Sequence, residues 1–165
     1  MTETTDVAER AGALAKTLVF TLVMPCSVAV WLPWGLDLIR TGTTRGAAAE
    51  TLGAVALTAG VLIYGACAFS FAWLGRGTPS PTDYTRSLVV AGLYRYSRNP
   101  MYVGVMLVLA GEFVLFGTSQ WASITYLASF VVIVNLFIVL YEEPALHDKF
   151  GIAYDEYRRS VRRWF

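Results

Sequence analysis

Charge is scarce in this chain. Only 15% of its 165 residues are Asp, Glu, Lys or Arg, against about 25% in an ordinary soluble domain. Those few are clustered and leave long uncharged tracts, which excludes a water-soluble globule. Cysteine and histidine are nearly missing, at two and one. No Cys/His cluster has metal-ligand spacing, so no metal site is expected. Cys26 and Cys67 both fall in apolar tracts and read as small packing residues. The net charge of +1 gives no reason to expect nucleic acid as a partner. No G-x-G-x-x-G opens a βαβ unit, which removes the soluble dinucleotide-binding fold.

What is present is hydrocarbon-compatible sequence. Uncharged tracts cover residues 17–36, 51–75 and 113–141. A bilayer span needs about 20 apolar residues, so the first two tracts make one span each. The third is too long for one, and adding residues 100–112 gives two spans joined by a turn at 116–120. The expectation is an all-α integral membrane protein of one domain, with four transmembrane helices at about 15–36, 51–74, 100–116 and 120–141. The first tract contains Pro25 and Pro33 and no clean small-x-small site follows it, so it is read as a span and not as a cleavable leader. Lys and Arg sort by side: with four spans, only Arg40 and Arg45 of the 13 basic residues lie opposite the termini. The positive-inside rule then puts both termini in the cytoplasm, with Trp31, Trp34 and Trp121 at the outer interface. After Pro144, Leu146, Phe150, Tyr154, Tyr157, Val161 and Trp164 recur at helical steps between charged positions. That pattern predicts an amphipathic interfacial helix over 144–164, with Gly151 as a kink point and a basic outer face towards anionic membrane lipids.

Polar groups gather at two span ends. Asn99 is a good N-cap residue and Pro100 suits the first helical position, so the third span directs a partial positive charge at the membrane surface. Asn-Pro alone can simply start a helix; Arg98 and Tyr102 beside it favour a site. The fourth span is expected to end at Glu142-Glu143-Pro144. Two carboxylates at a helix C-terminus oppose its dipole, a local violation of the kind found at functional sites. Within the spans, Glu112 is either a ligand group or an interhelical hydrogen-bonding acid, and Asn135, seven residues before Glu142 and on its face, either lines a cavity or joins helices. A zwitterionic sulfonium cofactor such as S-adenosylmethionine fits this set. Arg98 and the helix start suit a carboxylate, Glu142 or Glu143 an ammonium or ribose diol, and Tyr94, Tyr102 and Tyr154 an adenine or a cation. A nucleotide or an amino acid would use similar groups.

The run Gly92-Leu93-Tyr94, Arg98-Asn99-Pro100-Met101-Tyr102-Val103-Gly104, followed by Glu142-Glu143-Pro144-Ala145-Leu146 and Phe150-Gly151-x-x-Tyr154-x-x-Tyr157-x-x-x-Val161, resembles the isoprenylcysteine carboxyl methyltransferase and phospholipid methyltransferase superfamily across about residues 84–165. The resemblance implies a membrane methyltransferase that uses S-adenosylmethionine and acts on a lipophilic or lipid-linked acceptor, with no obligatory protein partner evident. It implies cofactor contacts at Arg86, Ser87, Leu88, Val89, Tyr94, Asn99, Pro100, Met101, Tyr102 and Glu142. Three positions depart from the pattern. Asn99 stands where prenylcysteine enzymes carry His, and both donate a hydrogen bond. Ile138 stands where those enzymes carry an Arg that engages the substrate carboxylate, which makes a prenylcysteine a doubtful acceptor. Val161-Arg162 replaces Val-Pro. Asn135, Ile138 and Glu112 remain the candidates for acceptor contact, and no residue is singled out as a catalytic base. Two other readings stand beside this one: a membrane reductase using NADPH, for which Arg86, Arg95 and Arg98 would bind the extra phosphates but the acid pair fits poorly, and a non-catalytic membrane subunit or small transporter.

Overall fold

The structure, a computed structural model, describes residues 2–41, 45–73 and 87–165, and of residues 2–10, 13 and 14 the backbone alone. The described residues are helical throughout, apart from loops and one isolated bridge between Ile39 and Gly117. In chain order they form α1 (Thr2–Cys26), a π-helical turn (Ser27–Trp31), α2 (Leu32–Gly35), α3 (Ala47–Trp73), a 3₁₀ turn (Gly92–Arg95), α4 (Pro100–Phe116), α5 (Gln120–Phe137), a second π-helical turn (Ile138–Glu142), α6 (Glu143–Phe150) and α7 (Ile152–Ser160). Three helical stretches are long and apolar enough to cross a membrane: Ala15–Gly35, Ala47–Trp73 and Gln120–Phe150. Helix α4 is apolar but has only 17 residues, about 26 Å at 1.5 Å per residue, against about 30 Å of hydrocarbon. Leu62, Ile133 and Leu140 stand largely exposed on these helices, as side chains facing lipid would.

Both π-turns have the same cause. Each ends two residues before a proline, Pro33 in one case and Pro144 in the other. Proline has no N–H and its ring collides with the carbonyl four residues back; widening the turn to i→i+5 relieves that collision without ending the helix. Leu32 N–H reaches Ser27 O and Glu143 N–H reaches Ile138 O, both five residues back. In the first turn the next carbonyl, Val28, would serve Pro33, which has no proton to donate. The Tyr126 hydroxyl of α5 supplies it instead, at 2.7 Å. Tyr126→Phe should therefore lower stability by about 1–2 kcal/mol with no loss of helix content, measurable by thermal unfolding and circular dichroism in detergent.

This geometry corrects two expectations. The fourth apolar helix does not stop at residue 141, so Glu142 and Glu143 do not oppose a C-terminal dipole; they lie inside a continuous helical run ending at Phe150. The helix expected over 144–164 is two helices. Gly151 adopts φ +54°, ψ −129°, a conformation open essentially to glycine alone, and α7 ends at Ser160 with an extended tail beyond. His147 and Asp155 close the break at 3.2 Å.

Helices α3 and α4 run antiparallel at backbone contact. Gly53, Gly60, Gly104 and Gly111, seven residues apart on each helix, line the seam. A Cβ at Gly60 would lie 2.6 Å from Gly104 O, and one at Gly111 would lie 2.5 Å from Leu57 N. Such close packing by small residues is how membrane helices gain contact when lipid and side chain are equally apolar. Helix α1 joins α3 through Thr21 and Tyr64, 2.8 Å apart. Helix α5 joins α4 through the edge-on pair Phe113–Tyr126. At one end, the loop after α2 meets the α4–α5 turn through Arg40 N–H to Phe116 O and Thr118 N–H to Leu38 O. At the other end lie the close of α3, the 3₁₀ turn and the start of α4, and this is where the candidate site forms.

Candidate functional site

Gly92 takes a positive φ of 62°, open to glycine without strain. The turn it starts brings Tyr94 back onto α3, where Cys67, Val89 and Tyr94 form a buried cluster with Met101 packed against it. The Tyr94 ring stands edge-on to Phe71 and its hydroxyl bonds Cys67. Burial holds the Tyr94 phenol well above its ordinary range, so it stays neutral. Its carbonyl accepts the Tyr157 hydroxyl at 2.8 Å, which ties α7 to this turn.

Helix α4 then begins as its sequence predicts, with Asn99 at the N-cap and Pro100 in the first turn. The Asn99 side chain makes no capping hydrogen bond. Its Nδ2 donates to Arg163 O at 3.2 Å, its own N–H goes to Ser97 Oγ at 3.2 Å, and Ser97 Oγ donates to Arg163 O at 3.1 Å. Arg98 N–H reaches Arg162 O at 2.9 Å. The C-terminal tail is thus strapped across the three residues that precede α4.

The two adjacent acids have different partners. Glu143 is buried, and its Oε1 accepts from Arg98 at 2.9 Å and from Arg163 Nε at 3.0 Å, while Oε2 takes Arg163 at 3.1 Å. The Arg98 and Glu143 side chains are each only 10% exposed. Arg98 also donates to the Tyr154 hydroxyl at 3.3 Å, and burial raises that phenol too. Glu142, one residue earlier and less buried, accepts from the Tyr102 hydroxyl at 3.0 Å. One carboxylate is therefore the centre of an internal ion cluster. The other sits with a phenol at the start of α4, and its remaining acceptor positions suit a hydroxyl or ammonium.

The structure brings together Arg98, Asn99, Pro100, Met101, Tyr102, Glu142 and Glu143, with Val89 and Tyr94 packed directly behind; Ser87 and Leu88 lead into them. Arg86 lies outside the described residues. Several roles expected of these residues change. Arg98 is matched in place by Glu143, so it braces the site. The Tyr94 and Tyr154 rings are almost fully buried and have no face left for stacking. Asn135 is engaged elsewhere: its Oδ1 accepts from Trp164 Nε1 at 3.2 Å and its Nδ2 donates to Val131 O at 2.8 Å, so it fastens the tail. Ile138 is 1% exposed in the π-turn. Glu112 stands ten residues along α4 from Tyr102, about 15 Å, and lines a cavity away from this site. The sequence reading missed Ser97, Arg163 and Trp164. Arg163 is one of four arginines between 158 and 163, and local pattern does not separate it from the others; Trp164, apolar and in step with Tyr157 and Val161, was the available signal that the tail turns inward.

No solved structure matches the chain. An uncharacterized protein of Haemophilus influenzae is 34% identical over 65 residues, covering 39% of this chain and 98% of that protein. A family model described as phospholipid methyltransferase matches residues 50–153, which include the α3–α4 seam, the start of α4, both acids and the Gly151 break. By that match over more than half its length, this helical membrane protein belongs to the phospholipid methyltransferase family.

Proposed function

We propose that residues 1–165 act as one membrane-embedded enzyme that transfers a methyl group from S-adenosylmethionine to a lipid-like or lipid-linked acceptor at the cytoplasmic face. Membership of a methyltransferase family favours methyl transfer over a nicotinamide reductase or a non-catalytic subunit. The observation that carries the reading is the 3.0 Å contact between Tyr102 and Glu142. It joins two polar segments forty residues apart in sequence at one end of an otherwise apolar bundle. On this reading helix α4 is the third of four spans, and the bias of Lys and Arg favours a cytoplasmic side for the termini and this site.

The residues present fit the cofactor. Glu142 is a mostly buried carboxylate with a single phenol partner, suited to its ammonium or ribose hydroxyls, and the start of α4, not capped by the Asn99 side chain, suits its carboxylate. When bound, the cofactor supplies an electrophilic methyl on a sulfonium. The protein holds Glu142 through Tyr102 and fixes α4 against α6 and the tail through the Glu143 cluster, which positions the groups that would orient the cofactor. A carboxylate or thiolate acceptor needs no general base, and an amine acceptor must lose a proton; no residue is assigned to take it.

Titration of the purified protein with S-adenosylhomocysteine tests this. Wild type should bind, Glu142→Ala should lose roughly ten- to hundredfold in affinity, as expected for hydrogen bonds to a charged group, and Tyr102→Phe should lose less. Failure of wild type to bind, or full affinity in a folded Glu142→Ala protein, would overturn the proposal.

A further inference from the structure

A cavity of about 290 Å³ lies between α1, α3 and α4, at the lower end of the roughly 300–1,000 Å³ of small-molecule sites. Thr21, Val61, Tyr64, Val105, Val108 and Glu112 are among its lining residues, and Val61 is half exposed at its rim, so it is reached from the lipid side. Its polar groups are unequal. The Tyr64 hydroxyl is 2.8 Å from Thr21 Oγ1, which itself donates to Thr17 O at 2.8 Å; that relay ends on a backbone carbonyl and asks for nothing more. Glu112 Oε2 is buried without any partner. An unmatched carboxyl oxygen within a membrane helix is costly, and a cavity against it gives room for the missing partner.

We infer that this cavity is a binding site for an apolar molecule carrying a hydroxyl, with the hydroxyl on Glu112 and the hydrocarbon among the valines. A hydroxyl both donates and accepts, so it matches Glu112 in either protonation state. An amine would require a buried ion pair with its desolvation cost, and a second carboxylate would be repelled. Ten residues of α4, about 15 Å, separate Glu112 from Tyr102, so the site does not depend on methyl transfer and its test needs no activity.

The test uses the full chain in phosphatidylcholine vesicles and dicyclohexylcarbodiimide, an apolar reagent that adds to protonated carboxyls in membranes, with the adduct located by peptide mass spectrometry. Labelling is expected at Glu112 and lost in Glu112→Gln. At equal membrane concentration, 1-octanol should slow it several-fold, and n-nonane, of similar length with no polar atom, should leave it nearly unchanged. In a second readout, octanol should raise the unfolding temperature of wild type more than nonane does, and Glu112→Leu should erase that preference. No labelling at Glu112, no protection, or equal protection by nonane would overturn the inference.

Discussion

Glu143→Ala is expected to cost about 3–5 kcal/mol of stability, while Glu142→Ala, one residue away, costs little stability and loses cofactor affinity. Removing the Glu143 carboxylate leaves two guanidinium groups, Arg98 and Arg163, facing one another where a single carboxylate held both. Arg98 is 10% exposed and its Nε already has no partner, so it cannot recover its hydration without moving. Breaking a buried ion cluster by deleting one member typically costs that much, because the remaining charge is left uncompensated. Glu142 has only the Tyr102 phenol as a described hydrogen-bond partner, and its loss strands no cation. Arg163→Ala should fall between the two, since Arg98 and Glu143 remain paired while the tail loses one anchor. Thermal unfolding in detergent, run beside the S-adenosylhomocysteine titration, reads both effects. Equal stability losses in the two acid variants would show that the acids share one role, and the division drawn between brace and binding group would fail.

That division was half visible in the sequence. The all-helical membrane character follows from the scarcity of charge, and the start of α4 follows from Asn99-Pro100, because local chemistry alone decides both. The pairing of the two polar segments was legible because each puts unusual residues beside an apolar helix. The inner geometry was not. The acid pair looked like a helix end because a proline followed it, whereas the π-turn absorbs Pro144 and the helix continues. Whether a helix breaks or widens at proline depends on the packing on both sides, which is a tertiary matter. Arg98 looked like a ligand for an anion because its partner, Glu143, was assigned to the same ligand. The arginine that completes the cluster comes from a tail whose path is set by long-range contacts, Trp164 on Asn135 and the Arg162 and Arg163 carbonyls on residues 97–99, and no local periodicity encodes these.

The glycine seam leads to the second large effect. Gly111→Val should abolish the folded state or lower stability by more than about 3 kcal/mol, the upper end of the usual range for overpacking. In most cores a new methyl group is met by side chains that can turn aside. Here the first atom added would meet Leu57 N at 2.5 Å and Gly53 O at 2.7 Å, backbone atoms that move only if α3 and α4 part. Gly65 supplies the control: it lies on α3, but a Cβ there meets nothing within 4 Å, so Gly65→Ala should be neutral or stabilising by about 0.5–1 kcal/mol through helix propensity alone. Separating these helices also reaches the site, since Gly104 of the seam is two residues beyond Tyr102 and fixes how far α4 stands from its neighbours. A milder Gly104→Ala variant should therefore weaken S-adenosylhomocysteine binding more than its loss of stability accounts for, by drawing Tyr102 away from Glu142. Were Gly111→Val to unfold at the same temperature as Gly65→Ala, the two helices would not be in backbone contact, and the positioning of Tyr102 would need another cause.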